Sequence, residues 1–190
     1  RIADNPGFQF LIAEEEELLE LEQRKVAISA FGSVTTLEPG HGAAWAHLAR
    51  LFMQTGQTLR ADQALEKAVR HADDNPVVHD LIGNVHTMLG EEAEALHWYS
   101  LAVEAQPDNV PFLVNKANCQ MYVGELEDSE KTLRRALELA PGNPNAHWIL
   151  AMLSKATSRE HVEEMQKLVK SGRYPPRARA FLWYGIGKEL

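Results

Sequence analysis

Apolar residues recur along this chain at three- and four-residue steps, in stretches punctuated by glycine, proline and asparagine. Ala93, Leu96, Tyr99 and Val103 are one such series. That spacing gathers side chains on one side of an α-helix. Just upstream, Ile82, Gly83, Val85 and Met88 make another apolar stripe. Gly90 separates the two and predicts a helix stop, because glycine adopts the left-handed exit of a C-cap without strain. Glu91, Glu92 and Glu94 open the second stretch, where the helix dipole favours negative charge. Pro107, Asp108 and Asn109 close it with turn-forming chemistry. The element predicted is therefore a helix, a short turn, a second antiparallel helix and a linker.

The same pattern returns. Residues 90–109 read GEEAEALHWYSLAVEAQPDN and residues 124–143 read GELEDSEKTLRRALELAPGN, 34 positions later. Gly56, Gly90 and Gly124 keep that interval, as do Ala68, Ala102 and Ala136, and Pro107 and Pro141. Pro39 lies two periods before Pro107, and Pro175 lies one period after Pro141. A fixed period of this size governs the whole fold, because each unit buries its apolar stripe against its neighbours. Small residues at Ala61, Gly83, Ala95 and Ala117 allow close helix approach, and Leu65, Tyr99 and Leu133 fill the space between hairpins.

With these residues in place the chain resembles the tetratricopeptide repeat family, whose pattern is a large residue, Leu-Gly, an aromatic, Gly, Ala, an aromatic, Ala and Pro. The repeat at 42–75 carries Trp45, Leu48, Ala49, Phe52, Gly56, Ala61, Leu65 and Ala68. The repeat at 76–109 carries His79, Ile82, Gly83, His86, Gly90, Ala95, Tyr99, Ala102 and Pro107, and that at 110–143 carries Leu113, Ala117, Gly124, Ser129, Leu133, Ala136 and Pro141. A degenerate repeat spans 8–41, with Leu11, Leu18, Ala27, Phe31 and Pro39, but Glu22 at the expected glycine. In 144–177 the second helix sets Val162, Met165, Leu168 and Val169 about two positions early. A shortened inter-helix turn and a longer exit, SGRYPPR, account for that offset. Residues 178–190 supply a first helix alone. The resemblance implies one array over 1–190 and an all-α fold: a right-handed superhelix (α-solenoid) of about five hairpins and one extra helix.

Composition narrows the function. The net charge is −8, which argues against nucleic acid and against an anionic membrane surface. No apolar run approaches the roughly 18–20 residues that span a bilayer. The lone Cys119 excludes an internal disulfide and any cysteine-rich zinc site. A cytoplasmic location is expected, although the chain begins at Arg1 rather than Met.

Candidate chemistry is sparse. His79 and His86 lie seven apart, whereas helical metal sites use pairs four apart with a third ligand. His79, His86 and His147 fall on core or semi-core slots and read as packed histidines. The acidic run AEEEELLELE at 13–22 reads as the solvated face of an amphipathic helix. Cys119 reads as a buried structural thiol. The glycines fit helix stops and no phosphate cradle. No catalytic residue, metal or cofactor is expected.

Binding is what the resemblance implies. In the family the first helix of every hairpin lines a concave groove. Carried onto this chain, the groove positions include Arg50, Met53, Asp80, Asn84, Thr87, Val114, Asn115, Asn118, Met121, Tyr122, Trp148, Met152, Arg179 and Trp183. Asn amides both donate to and accept from an extended peptide backbone, and tryptophan is enriched at binding hot spots. Arg50, Asn84, Asn115, Asn118, Tyr122, Trp148, Met152 and Trp183 are the strongest candidates. Chaperone-binding members grip a C-terminal carboxylate with cations, and the matching slots here hold Asp80, Asn145 and Ile149, so that subtype is rejected. The expected role is a non-catalytic scaffold for a protein or peptide. Two alternatives stand beside it. Residues 151–190 resemble the end of the repeat region in bacterial proteins that carry a sulfotransferase domain, which would make the chain a substrate-recruiting part of an enzyme whose catalytic domain lies beyond Leu190. The last helix, which lacks a partner helix and is expected to expose Phe181, Leu182, Trp183 and Tyr184, would instead support a homo-oligomer.

Overall fold

The structure of the protein, a computed structural model, describes residues 6–153 and 159–190, with side chains from residue 20 onward. Every regular element among the described residues is a helix. Two compact units are present, Arg1–Asp73 and Asp74–Leu190.

The first unit holds α1 (Pro6–Leu37), α2 (Gly42–Gln54) and α3 (Thr58–Arg70). The segment expected to form a degenerate hairpin is instead one continuous helix, so the expectation of about five hairpins is corrected. The cause is local. Glu22 stands where the other periods have a stopping glycine, and no proline lies between it and Leu37. The surrounding charges also pair along the helix: Arg24 donates to Glu20 at 2.8 Å, and Lys25 to Glu22 at 2.6 Å. Glu20, Leu21 and Glu22 are exposed, as a solvated face requires. The side chains of Leu11, Leu18 and the earlier part of the acidic run lie outside the described residues.

Helices α2 and α3 form the expected hairpin. Ala46, Ala49, Ala61 and Ala68 are fully buried, which lets the backbones approach. Leu48, Phe52 and Leu65 fill the remaining space. Gly42 is needed at the α2 entry, because a Cβ there would stand 1.9 Å from the His71 carbonyl oxygen.

The second unit holds α4 (Pro76–Leu89), α5 (Glu92–Ala105), α6 (Val110–Val123), α7 (Leu126–Leu139), α8 (Pro144–Leu153), α9 (Glu160–Lys170) and α10 (Pro176–Glu189). Three of its first helices start alike. The Asn75, Asn109 and Asn143 side chains accept from Val77, Phe112 and Ala146 N–H groups at 3.0, 3.3 and 3.0 Å. A proline follows within the first turn, where its missing donor costs nothing. Gly90 and Gly124 end α4 and α6 in the left-handed region, at φ 77° and 88°.

Leu113, Val114, Ala117, Leu133, Ala136, Ala146, Ile149 and Leu150 make the central core. Each large member contributes about 1.5–3 kcal/mol by leaving water. Two expectations are corrected at this point. Val114 is a core residue and not a groove residue, and Ala93 is exposed while Ala95 is buried. The family positions therefore locate the buried face of α5 better than the simple apolar series does.

The offset second helix is real in its packing. Val162 and Met165 are buried, and Leu168 and Val169 pack beside them. The turn expected to cause it, residues 154–158, lies outside the described residues. Helix α9 nevertheless begins at Glu160, one 34-residue period after Leu126, so its buried face is rotated while its start keeps the rhythm. Helix α10 packs on α8 and α9. Its Leu182 and Ile186 complete the Val162–Met165 core, which corrects the expectation that Leu182 is exposed.

Candidate binding groove

Helices α4, α6, α8 and α10 touch in succession and form one row in the second unit. The starts of α4, α6 and α8, at Pro76, Val110 and Pro144, recur with the 34-residue period, and α10 starts two residues early, at Pro176, so corresponding residues of the first three stand side by side along the row.

At the α4 end the polar groups are largely committed to each other. Asn115 Nδ2 donates to Asp80 Oδ1 at 2.8 Å, bridging α6 and α4. Thr87 Oγ1 lies 3.1 Å from the Gly83 carbonyl and 3.2 Å from the Tyr99 hydroxyl. Burial pushes the Tyr99 phenol up to about 12, and Thr87 and Asn84 hydrogen bonds offset this in part. Asn84 is half-buried beside that phenol. Asn118 is also half-buried, and its amide has no bonded partner among the described residues. Of the three asparagines, Asn118 is the one with its full donor and acceptor capacity available.

The other half of the row is apolar and open. Tyr122 is 61% exposed, Met152 45% and Trp183 57%. Trp148 is half-buried. It packs against the central core and tilts on Phe181, with ring centroids 5.4 Å apart and 50° between planes. Met88 and Tyr184 are further exposed apolar residues on the row, and neither falls among the groove positions expected from the sequence. Met88 lies one period before Tyr122, and that interval is the signal by which it could be found. Ile149, in the slot that holds a cation in chaperone-tail binders, is buried.

Arg50 belongs to the first unit. It is half-buried on α2, and its Nε is buried without a hydrogen-bond partner. Burial lowers the pKa of His47 one turn away, with the Arg50 charge adding to that shift. A hollow of about 290 Å³ in this unit is lined by Gly32, Trp45, Phe52 and Arg60, the last stacked over Phe52 at 4.1 Å.

The packed-group readings fit the contacts. His79 and His147 are buried, and His79 lies against Trp98. Cys119 is buried and donates to the Glu92 carbonyl at 3.3 Å. Burial pushes its thiol up to about 12, and the Glu92 carboxylate adds to the shift. That suppresses the thiolate on which cysteine reactivity depends. Among the described residues no group of three or more His, Cys, Asp or Glu side chains is placed to hold a metal ion, and no helix is long and apolar enough to cross a membrane.

Comparison with known proteins agrees on one architecture. Residues 18–85 and 110–143 match the tetratricopeptide repeat. Anaphase-promoting complex subunit 3 of Schizosaccharomyces pombe (strain 972 / ATCC 24843) is 20% identical over 141 residues, 74% of this chain and 21% of that protein. The chain thus spans about a fifth of that relative. Among solved structures, PilW, a widely conserved type IV pilus biogenesis factor, aligns with a TM-score of 0.71 at 18% identity, over 98% of this chain and 87% of that one. TTC0263, a thermophilic TPR protein of Thermus thermophilus, gives 0.68 at 18%, over 94% and 98%. YrrB, a TPR protein with an unusual peptide-binding site, gives 0.64 at 17%, over 92% and 88%. At these identities the likeness is one of fold, the all-α tetratricopeptide superhelix class.

Proposed function

The chain belongs to the tetratricopeptide repeat family, a family of protein–protein interaction scaffolds, and we propose that an extended peptide or protein segment lies along α4, α6, α8 and α10. The observation that carries this reading is the pairing of an uncommitted, half-buried amide at Asn118 with open apolar side chains at Tyr122, Met152 and Trp183. The amide suits a ligand backbone, and contiguous exposed apolar surface marks interaction sites. Asn84 and Asn115 frame the polar end, Trp148 supports the apolar end, and Arg50 is the corresponding candidate in the first unit. Repeats of this kind are generally non-catalytic, and the chain acts by holding its partner.

A peptide-array screen or pull-down with wild type, Trp148→Ala and Asn118→Ala tests the reading, after circular dichroism has verified helicity. Losing the Trp148 ring should cost about 2 kcal/mol or more of binding. Losing the Asn118 amide should cost about 0.5–1.5 kcal/mol, as for a neutral hydrogen bond. A ligand that binds both variants as tightly as wild type sits elsewhere.

Self-association through α10 is a second reading, favoured by Trp183 and by Tyr184, which is 72% exposed. Mass that rises with concentration, and no longer does so in Tyr184→Ser, would support it. The role beside a sulfotransferase-like domain rests on the resemblance of residues 151–190, and the reading frame past Leu190 decides it.

A further inference from the structure

An unbroken chain of polar groups crosses the junction of α8, α9 and α10. His147 Nε2 lies 2.8 Å from the Pro141 carbonyl oxygen. His147 Nδ1 lies 2.9 Å from His161 Nε2, and His161 Nδ1 lies 2.5 Å from Glu189 Oε1. The imidazole centroids are 5.1 Å apart with 27° between planes, and the rings meet through their nitrogens. The chain is enclosed: His147 is 2% exposed, and the side chains of His161 and Glu189 are 19% and 3% exposed. Glu189 Oε2 is buried without a hydrogen-bond partner.

Three links need three hydrogens. The carbonyl only accepts, each neutral imidazole brings one hydrogen, and a carboxylate brings none. Two neutral histidines and a carboxylate are therefore one proton short. Whichever tautomers form, the three links close only when one further proton is held. Without it, two lone pairs face each other in one link, and a buried carboxylate stands uncompensated, which is costly in a low-dielectric site.

We propose that His147, His161 and Glu189 form a one-proton latch that fastens α10 to α8 and α9, complete while the third proton is held and released as pH rises. The other charges near the latch are few. Glu164 of α9 faces His147, Glu160 and Glu163 of α9 are exposed, and Lys188 of α10 is exposed beside Glu189. Among the described residues no Lys or Arg is bonded to any of the three, so no fixed cation replaces the proton. Because α10 carries Phe181 against Trp148, release would also open the apolar end of the binding row. Only the effect on ligand capture rests on the groove reading; the latch and the loosening of the Phe181–Trp148 contact do not.

The protons bound in the folded and unfolded states set the sign. In the unfolded chain each histidine protonates near pH ~6.5 and the glutamate near ~4.3. Burial holds the His147 pKa below the usual histidine value. Below about pH 6.5 the unfolded chain binds two imidazole protons and the latch one, so stability rises with pH. Above it the unfolded chain binds none, so a latch that keeps its proton makes stability fall with pH until that proton is lost. The latch contributes a maximum near the ordinary histidine pKa.

Glu189→Gln separates this device from mere packing. The Gln amide donates permanently to His161 Nδ1, so all three links close with no titrating proton. Urea unfolding of wild type and Glu189→Gln, in parallel across pH, should show the wild-type folded-to-unfolded ratio falling by up to about tenfold per pH unit on the alkaline side relative to the variant. Parallel alkaline profiles would overturn the latch. A second measurement needs no variant: histidine ring nitrogen shifts and tryptophan fluorescence of the wild-type protein should change together as pH rises. Ring deprotonation with no tryptophan response would also overturn it. Both measurements are made without ligand, so their failure leaves the groove reading to the Trp148→Ala and Asn118→Ala experiment, and the reverse holds.

Discussion

Gly83 on α4 and Gly185 on α10 stand three 34-residue periods apart, at the same point of the repeating pattern. Their neighbours differ. A Cβ at Gly83 would lie 2.9 Å from two Tyr99 ring carbons and 3.2 Å from the Ala95 carbonyl oxygen, both on α5, the helix that follows. A Cβ at Gly185 would lie 2.8 Å from the Met165 sulfur and 3.5 Å from the Ala151 Cβ, on α9 and α8, which precede it. One slot thus serves two joints. Within a hairpin it admits a fixed ring; at α10 it admits a flexible thioether. The repeat specifies a small residue and a close approach, and the neighbour determines how rigid the approach is.

The largest expected effect comes from emptying the hairpin joint. Tyr99 is 3% exposed, and its hydroxyl meets Thr87. Tyr99→Ala should cost about 3–5 kcal/mol, the range for a buried aromatic truncated to alanine, read from the shift in urea midpoint. A cost no larger than that of an exposed substitution would mean the ring does not hold the hairpin together.

Filling the two glycine slots should separate them. Alanine gains up to about 1 kcal/mol over glycine in a helix interior. At Gly83 that gain meets a ring held at both ends, and overpacking of this kind costs about 1–3 kcal/mol. At Gly185 the Met165 thioether swings aside, because methionine adapts to irregular space. Gly83→Ala should therefore destabilise, while Gly185→Ala should fall within about 1 kcal/mol of zero. Equal midpoint shifts in thermal unfolding would erase the distinction between the joints.

The smallest effect is expected on the outer helices. Glu138 is exposed on α7 and pairs with Arg135 at 2.9 Å. Glu138→Lys should leave unfolding and ligand capture unchanged, since solvent-exposed pairs contribute little. A clear loss of capture would move the contact surface from the first helices to the second.

Much of the fold is legible from local chemistry. Asn75 and Asn109 before a proline, and Gly90 and Gly124 after an apolar stripe, act within a few residues of themselves, so their meaning travels with the sequence. Ala61, Ala95 and Ala136 are likewise buried where the period puts them. The single helix at Pro6–Leu37 escapes a reading that extends the period across Glu22, because that residue lacks the means to stop a helix. Spacing places the exposed aromatic side chains of the row on their helices. It does not reveal their engagement: Asn115 is tied to Asp80, while Asn118 keeps its amide open.

The sequence by itself determined the helices, their starts and stops, and the small and large positions that let them stack, because those properties depend on contacts within a turn or two or on a regular interval. The tertiary structure decided which groups meet across helices. Asn115 reaches Asp80, Tyr174 donates to the Gly142 carbonyl, and Glu189 meets His161. A shift of an ångström or two in helix packing would break each of these bonds. That placement comes from how side chains of unequal size fill the joints, as Tyr99 and Met165 do, and a repeating pattern of residue types does not encode it.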